Sequence, residues 1–236
     1  MAGVQLAAAS GRRSAAIDVS HNLNGQRLGR KGRDTRARII AVAQEIIADS
    51  PEAMITLSEV ARRANLRMAS LYVYFADLTE LILALLEPVM ETAEQDYVRI
   101  VREPWSDEEL GLKAREFVDA FYGFWVRHSR LLHLRYHLSE RNDRRLMEHR
   151  VRSAQPVMRL LVAQMGGDPA GPASRLSGMA TVLMTGLERM VTVSTDDWVP
   201  KVGEGTANPH HVLLEAEARL IELGIRDYRK LASDGP

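Results

Sequence analysis

The sequence predicts an all-α protein, and three observations carry that reading. From Arg33 onward, apolar residues recur at three- and four-residue intervals, and no segment alternates as a half-buried strand does. Three capping-box patterns mark helix starts: Thr56-Leu57-Ser58-Glu59, Asp77-Leu78-Thr79-Glu80 and Ser106-Asp107-Glu108-Glu109. Breakers such as Ser50-Pro51, Pro104 and Gly166-Gly167 fall between the periodic segments.

Residues 1–32 are rich in Ala, Gly, Ser, Asn and Arg without an apolar period, and are expected to be disordered. The first helix is predicted over 35–49, with Ile39, Ile40, Ala43, Ile46 and Ile47 on one face. Ser50-Pro51 ends it, because the residue before proline is pushed out of the α region. Thr56 caps a short helix over 57–64, with the Glu59 side chain reaching back to the cap, and Asn65 suits the left-handed turn that follows. A third helix is predicted over 68–75 and a longer one from 77 to about 101, in which Pro88 bends the axis or removes a backbone bond. Helices over 106–128, 131–138, 143–165 and 173–194 come next. The polar loop 195–208 and a last helix, capped by Asn208-Pro209 and running to about 230, complete the chain.

Composition narrows the function classes. The 236 residues carry 31 basic and 31 acidic side chains, unlike a protein that coats nucleic acid through bulk positive charge. The absence of cysteine excludes a disulfide framework, a thiolate zinc site and a cysteine nucleophile. No apolar run approaches the length of about 18 residues needed to span a membrane, and no secretory pattern opens the chain, so a cytoplasmic location is expected. The charge is unevenly distributed. Residues 1–75 hold eleven basic against six acidic side chains, a surplus of five, and the remainder carries a matching acidic excess. Six of the basic groups lie within 27–38. Such asymmetry points to an anionic polymer as partner for one end.

The helices over 57–64 and 68–75, joined by a tight turn, form a candidate helix-turn-helix. In that motif the second helix enters the major groove with its first residues toward the base edges. The groove-facing candidates are Arg67, Met68, Ala69, Ser70 and Tyr72, with Tyr74 and Tyr72 bringing hydroxyls within reach of phosphates. Thr56 and Ser58 sit where a helix start can meet a phosphate. Arg30, Lys31 and Arg33, around Gly32, are expected to add arm contacts in a narrow groove.

Over residues 36–81 the chain resembles the tetracycline-repressor (TetR) family. The resemblance rests on Arg36-x-x-Ile39-Ile40-x-x-Ala43, on Thr56-Leu57-x-x-Val60-Ala61-x-x-Ala64, and on Leu66 to Phe75 followed by Asp77, Glu80 and Leu81. Leu78 replaces a lysine common in that family, and Asn65 replaces a usual glycine. The resemblance implies a helix-turn-helix DNA-binding unit over 33–80 and a helical ligand-binding and dimerisation unit over 81–236. It also implies a homodimer joined through about 173–194 and 209–230, and release of a palindromic operator by a small apolar or amphipathic effector. Leu176, Met179, Ala180, Leu183, Leu187 and Met190 offer one dimerisation face; Leu213, Ala216, Leu220, Ile221 and Gly224 offer the other.

The effector candidates are Phe117, Phe121, Trp125, Tyr136, Met158 and Met179, whose aromatic and adaptable apolar side chains suit a ligand wall. The arginines at 141, 144, 145, 150 and 152 read either as an anion site or as a solvated face paired with Glu140, Asp143 and Glu148. His133 and His137 stand at metal-chelating spacing, but no flanking motif supports an ion, so neither a metal nor another cofactor is expected. No phosphate loop, nucleophile elbow or His-Glu-x-x-His motif is present, so no enzymatic activity is expected. A regulator without a ligand, or an all-helical enzyme with an unmarked site, are the competing readings.

Overall fold

In the computed structural model, which describes residues 27–49, 55–196 and 210–233, every extended regular element is a helix. Helix α1 (Arg30–Asp49) buries Ile39, Ala43 and Ile46. Helix α2 (Leu57–Arg63) buries Val60 and Ala61, and α3 (Met68–Leu71) buries Leu71. With Ile55, Phe75, Leu81 and Leu85 these side chains close one small core.

Helix α1 begins at Arg30, five residues ahead of expectation. Arg30, Lys31 and Arg33 therefore form its first turn and are not part of a disordered arm. The cause is local. Leu28 is buried and lies against Gly32, the Arg33 guanidinium donates to the Leu28 carbonyl at 2.8 Å, and the Thr35 hydroxyl donates to the Lys31 carbonyl at 2.9 Å. One apolar anchor and two side-chain bonds outweigh the poor helix propensity of Gly32. Residues 1–26 and the Ser50-Pro51 break lie outside the described residues.

Asn65 adopts φ +52°, the left-handed conformation expected of it, and the Leu66 N–H reaches back to the Ala61 carbonyl at 2.9 Å. Helix α3 is shorter than predicted. After Leu71 the chain tightens, with the Tyr74 and Phe75 N–H groups both donating to the Leu71 carbonyl, which carries Phe75 into the small core.

Helix α4 (Leu78–Ala93) continues through a π turn at Glu94–Val98 into α5 (Arg99–Arg102), close to the predicted end. Helix α6 (Leu110–Glu140) joins two segments that the sequence separates, and the break persists as a kink at His128 (φ −118°, ψ 17°). Helix α7 (Arg144–Gln164) is capped by Asp143, and Gly166 takes φ +83° just beyond it. Helix α8 (Arg175–Ser194) starts from a reciprocal Ser174–Ser177 capping box. The last helix is α9 (His210–Ser233). Most of the expected 195–208 loop and the Asn208-Pro209 cap lie outside the described residues.

Helices α4 to α9 enclose the large core. Helix α4 belongs to both cores: Leu81 and Leu85 face the small one, while Ile82 and Leu86 face the large one. A unit boundary after residue 80 therefore falls inside a helix, and the small core extends past it. The start of α4 is also tied to α7. The Thr79 hydroxyl donates to the Asp143 carboxylate, and Arg145 pairs with Asp77 at 2.7 Å.

Two buried polar groups in the large unit contrast. Gln164 is fully used: its amide donates to the carbonyls of Val101 (2.8 Å) and Glu103 (2.7 Å) and its oxygen accepts from the Trp105 N–H (3.1 Å), fixing the turn between α5 and α6. Glu217 on α9 is 8% exposed, and among the described residues its Oε1 has no hydrogen-bond partner. It occupies the space left by Gly186 on α8, where a Cβ would stand 3.4 Å from that oxygen. Burial pushes its carboxyl up to about 7. The folded state therefore holds a proton that the unfolded chain releases near 4.5, so stability falls as pH rises through that interval, by about 3 kcal/mol in full. Glu217→Gln removes the penalty. Chemical unfolding at pH 5 and pH 8 should show the variant gaining about 2–3 kcal/mol over the parent between the two conditions; an equal difference at both pH values contradicts an uncompensated carboxyl.

Candidate nucleic-acid interface and effector core

The start of α3 presents Arg67, Ala69, Ser70 and Tyr72 to solvent, and Tyr72 is 49% exposed. Ala69 and Ser70 are small enough to let the helix approach a groove floor, while Arg67 and Tyr72 flank them with a charge and a hydroxyl. Met68 and Tyr74, also expected to contact DNA, are half-buried and pack against the small core. Thr56 and Ser58 are exposed at the start of α2, and their hydroxyls bond each other at 3.1 Å.

Only half of the first capping box forms. Thr56 Oγ1 accepts from the Glu59 N–H at 3.3 Å, but the Glu59 carboxylate turns to Arg62 and Arg63, which donate to it at 2.7–2.8 Å. Two guanidiniums at helical spacing offer the carboxylate more than one backbone N–H does, and their hydrogen bonds hold its pKa down to about 2. Arg63 also pairs with Asp49. Arg36 lies over the Phe75 ring at 5.2 Å, where burial lowers its pKa. Part of the basic surplus is thus committed to packing the small unit. Arg30, Lys31, Arg33, Arg38 and Arg67 remain on its exposed surface.

The effector candidates divide into two groups. Phe117, Phe121 and Trp125 join Tyr97 and Phe124 in one buried aromatic cluster, with Tyr97 edge-on to Phe121 at 4.9 Å and to Phe124 at 5.2 Å. Tyr136, Met158 and Met179 lie elsewhere. Tyr136 carries the Arg150 guanidinium over its ring, Met158 meets Thr181 between α7 and α8, and the Met179 sulfur approaches Gly224 between α8 and α9.

Beside the aromatic cluster lies a polar group that sequence reasoning missed. Arg135 of α6 is 5% exposed and stands 3.6 Å from Glu188 of α8. Glu188 is bound more closely by Arg150 of α7, at 3.0 Å. His149 sits nearby, its pKa pushed down to about 4 by burial and by the charges of Arg135 and Arg152. The available signal was Arg135 itself, a lone charge one turn from Leu132 and Ser139 on an otherwise buried face. Of the arginines noted in the sequence, Arg150 turns inward, while Arg144 pairs with Glu148 on the surface.

The fold has solved counterparts. A TetR-family transcriptional regulator from Streptomyces coelicolor superposes with a TM-score of 0.54 at 16% identity, covering 89% of this chain and 92% of its own. A Clostridium perfringens protein, provisionally named a fatty acid metabolism regulator, superposes at 0.51 with 14% identity, covering 79% and 97%. This chain has the TetR-regulator fold. No protein-family model and no curated protein matches the sequence.

On this TetR fold, the faces expected to meet a partner subunit need correction. Ala180, Leu183 and Leu187 of α8 and Ile221 and Gly224 of α9 are buried within the subunit, because the more continuous apolar stripe of each helix packs into its own core. Among the described residues of these helices, the large apolar side chains left exposed are Val182 on α8 and Val212, Leu220, Leu223 and Leu231 on α9, and Ala216 is exposed beside them. His133 and His137 are joined by Asp196, and the three offer ligand atoms within 4.8 Å of one another. His133 Nε2 also lies 2.9 Å from the Thr195 hydroxyl.

Tyr72→Ala tests the interface. The side chain is half exposed and adds little to the core, so thermal stability should change by less than about 0.5 kcal/mol. Operator affinity should fall by about tenfold, as expected for losing one well-placed contact. Unchanged affinity in fluorescence anisotropy rules out this docking of α3.

Proposed function

We propose that this protein is a sequence-specific DNA-binding transcriptional regulator. It acts as a homodimer on a palindromic operator and leaves it when a small molecule binds among α4, α6, α7 and α8. The observation that carries the reading is the exposed start of α3, where Arg67, the small Ala69 and Ser70, and Tyr72 face solvent, on a small unit whose core includes side chains from α4.

A two-fold pair would set the α3 helices about 34–36 Å apart, matching successive major grooves. The exposed apolar residues of α8 and α9 supply a surface for that pairing, since contiguous apolar patches on soluble proteins mark interaction sites. Helix α4, packed into both cores, supports a coupling in which the effector selects one spacing of the two DNA-binding units. The basic first turn of α1 adds phosphate contacts, and the acidic remainder orients the basic end toward the duplex. A ligand-independent regulator is the second reading, favoured by the dense packing of Phe117, Phe121, Phe124 and Trp125.

Retention of genomic fragments on the immobilised protein tests the function. Specific fragments should be retained, their affinity should fall steeply with salt, and members of a metabolite library should release them. Retention of no specific fragment sinks the regulator reading, and retention insensitive to every compound leaves the ligand-independent one. The dimer is tested by Leu220→Glu combined with Leu223→Glu. Light scattering should show monomers with unchanged helicity, and operator affinity should drop by more than about tenfold. A variant that remains dimeric removes this face from the interface.

A further inference from the structure

We infer that Arg135 is the receptor for an anionic effector, a monocarboxylate whose apolar body lies against the Tyr97–Phe121–Phe124 aromatic cluster. The inference rests on the regulator reading above and specifies the chemistry of its ligand.

The argument begins with charge. A buried guanidinium is costly unless oxygen acceptors surround it. Arg135 is 5% exposed, and among the described residues no oxygen accepts a hydrogen bond from it. Its Nε is buried without a partner, its Nη1 faces the Met90 thioether at 3.8 Å, and its Nη2 stands 3.6 Å from Glu188. A thioether is a weak acceptor. Glu188 does not offset the charge alone, because Arg150 Nε bonds both of its oxygens at 3.0–3.1 Å. Two guanidiniums therefore share one interior carboxylate; Glu140, the other partner of Arg150, is on the surface. His149, the remaining titratable group near Arg135 on α7, stays neutral above about pH 4 and adds no anion.

The surroundings select the ligand. Arg135 lacks a close oxygen acceptor of its own, and its guanidinium matches the planar geometry of a carboxylate. A phosphate would bring a second charge without further donors. The Tyr97 hydroxyl lies within the electrostatic reach of Arg135, and its ring packs on Phe121 and Phe124, so a polar end and an apolar wall adjoin. Met90 is the movable part. It is a flexible side chain on α4, two residues beyond Pro88, and occupies a position facing Arg135. A carboxylate that takes over Arg135 displaces Met90 and thereby acts on the helix that enters the DNA-binding core.

The test uses the full-length protein, calorimetry and four carboxylates: butyrate, octanoate, dodecanoate and phenylacetate. The matching neutral amides and inorganic phosphate serve as controls. At least one carboxylate should bind about tenfold or more tightly than its amide, and phosphate should not bind. Arg135→Met should abolish the preference for the acid. It should also keep or raise the melting temperature of the ligand-free protein, because Glu188 retains Arg150. A structural ion pair would instead lower it. Arg135→Gln provides the same readouts if the Met variant does not fold. Equal binding of acid and amide, binding unaffected by the substitution, or no binding of any carboxylate by a protein that still retains specific DNA overturns the inference and leaves the regulator reading intact. Acid-selective binding that depends on Arg135, in a protein that retains no specific DNA, upholds the receptor and sinks the regulator.

Discussion

The structure depends on one helix serving two cores. Leu81 and Leu85 of α4 close the core beneath the helix-turn-helix, while Ile82 and Leu86, each one residue further on, enter the large core. A rotation about the α4 axis that improved one set of contacts would withdraw the other, so the two units cannot repack independently. The ends are secured too: Asp77 and Thr79 hold the start of α4 to α7, and Gln164 fixes the turn after α5. Between these anchors lie the irregular features of the helix, Pro88 and the π turn at Glu94–Val98. Weakened backbone hydrogen bonding is thus concentrated between two well-held ends, where a change in length or direction meets the least resistance.

Charge follows a similar division of labour. A basic half and an acidic half suggest that every positive group near the N-terminus faces a partner. The structure divides those groups: Arg36 covers Phe75 and Arg63 bridges Glu59 to Asp49, so their charges help hold the small unit together. The groups left on its surface come from the first turns of α1 and the start of α3. Exposed ion pairs are individually weak, so the committed arginines contribute mainly through packing and geometry.

The fold was largely legible because its signals are local. Helical periodicity, the caps at Thr56 and Asp77, and the left-handed Asn65 depend on residues within one turn of each other; Ser106, also read as a cap, accepts from the Glu109 N–H in a turn, and α6 starts four residues later at Leu110. The His128 kink was legible as a break between two helices. The early start of α1 was missed because it depends on Leu28 being buried. The π turn has no composition signature. Around α3, the exposure of Arg67, Ala69, Ser70 and Tyr72 followed from register, but the inward turn of Met68 and Tyr74 required the packing of a four-residue helix. The apolar faces of α8 and α9 were recognisable as apolar; which stripe stays within the subunit depends on α6, which packs against α9 over much of its length. Arg135 was hidden for the same reason, since a lone arginine among leucines reads as exposed until Glu188 arrives from 53 positions away.

The buried polar group and the irregular helix are physically linked. Met90 stands on the stretch of α4 between Pro88 and the π turn, and it is the side chain that Arg135 meets there. A well-packed leucine core would stabilise this unit more simply, because replacing buried ionic groups with apolar ones commonly costs nothing. On the effector reading proposed above, an under-compensated guanidinium against the least regular part of the connecting helix gives the interior two arrangements. In one, the charge rests against a thioether; in the other, it meets an anion. A ligand that binds the second arrangement more tightly then shifts α4, whose buried side chains enter both cores.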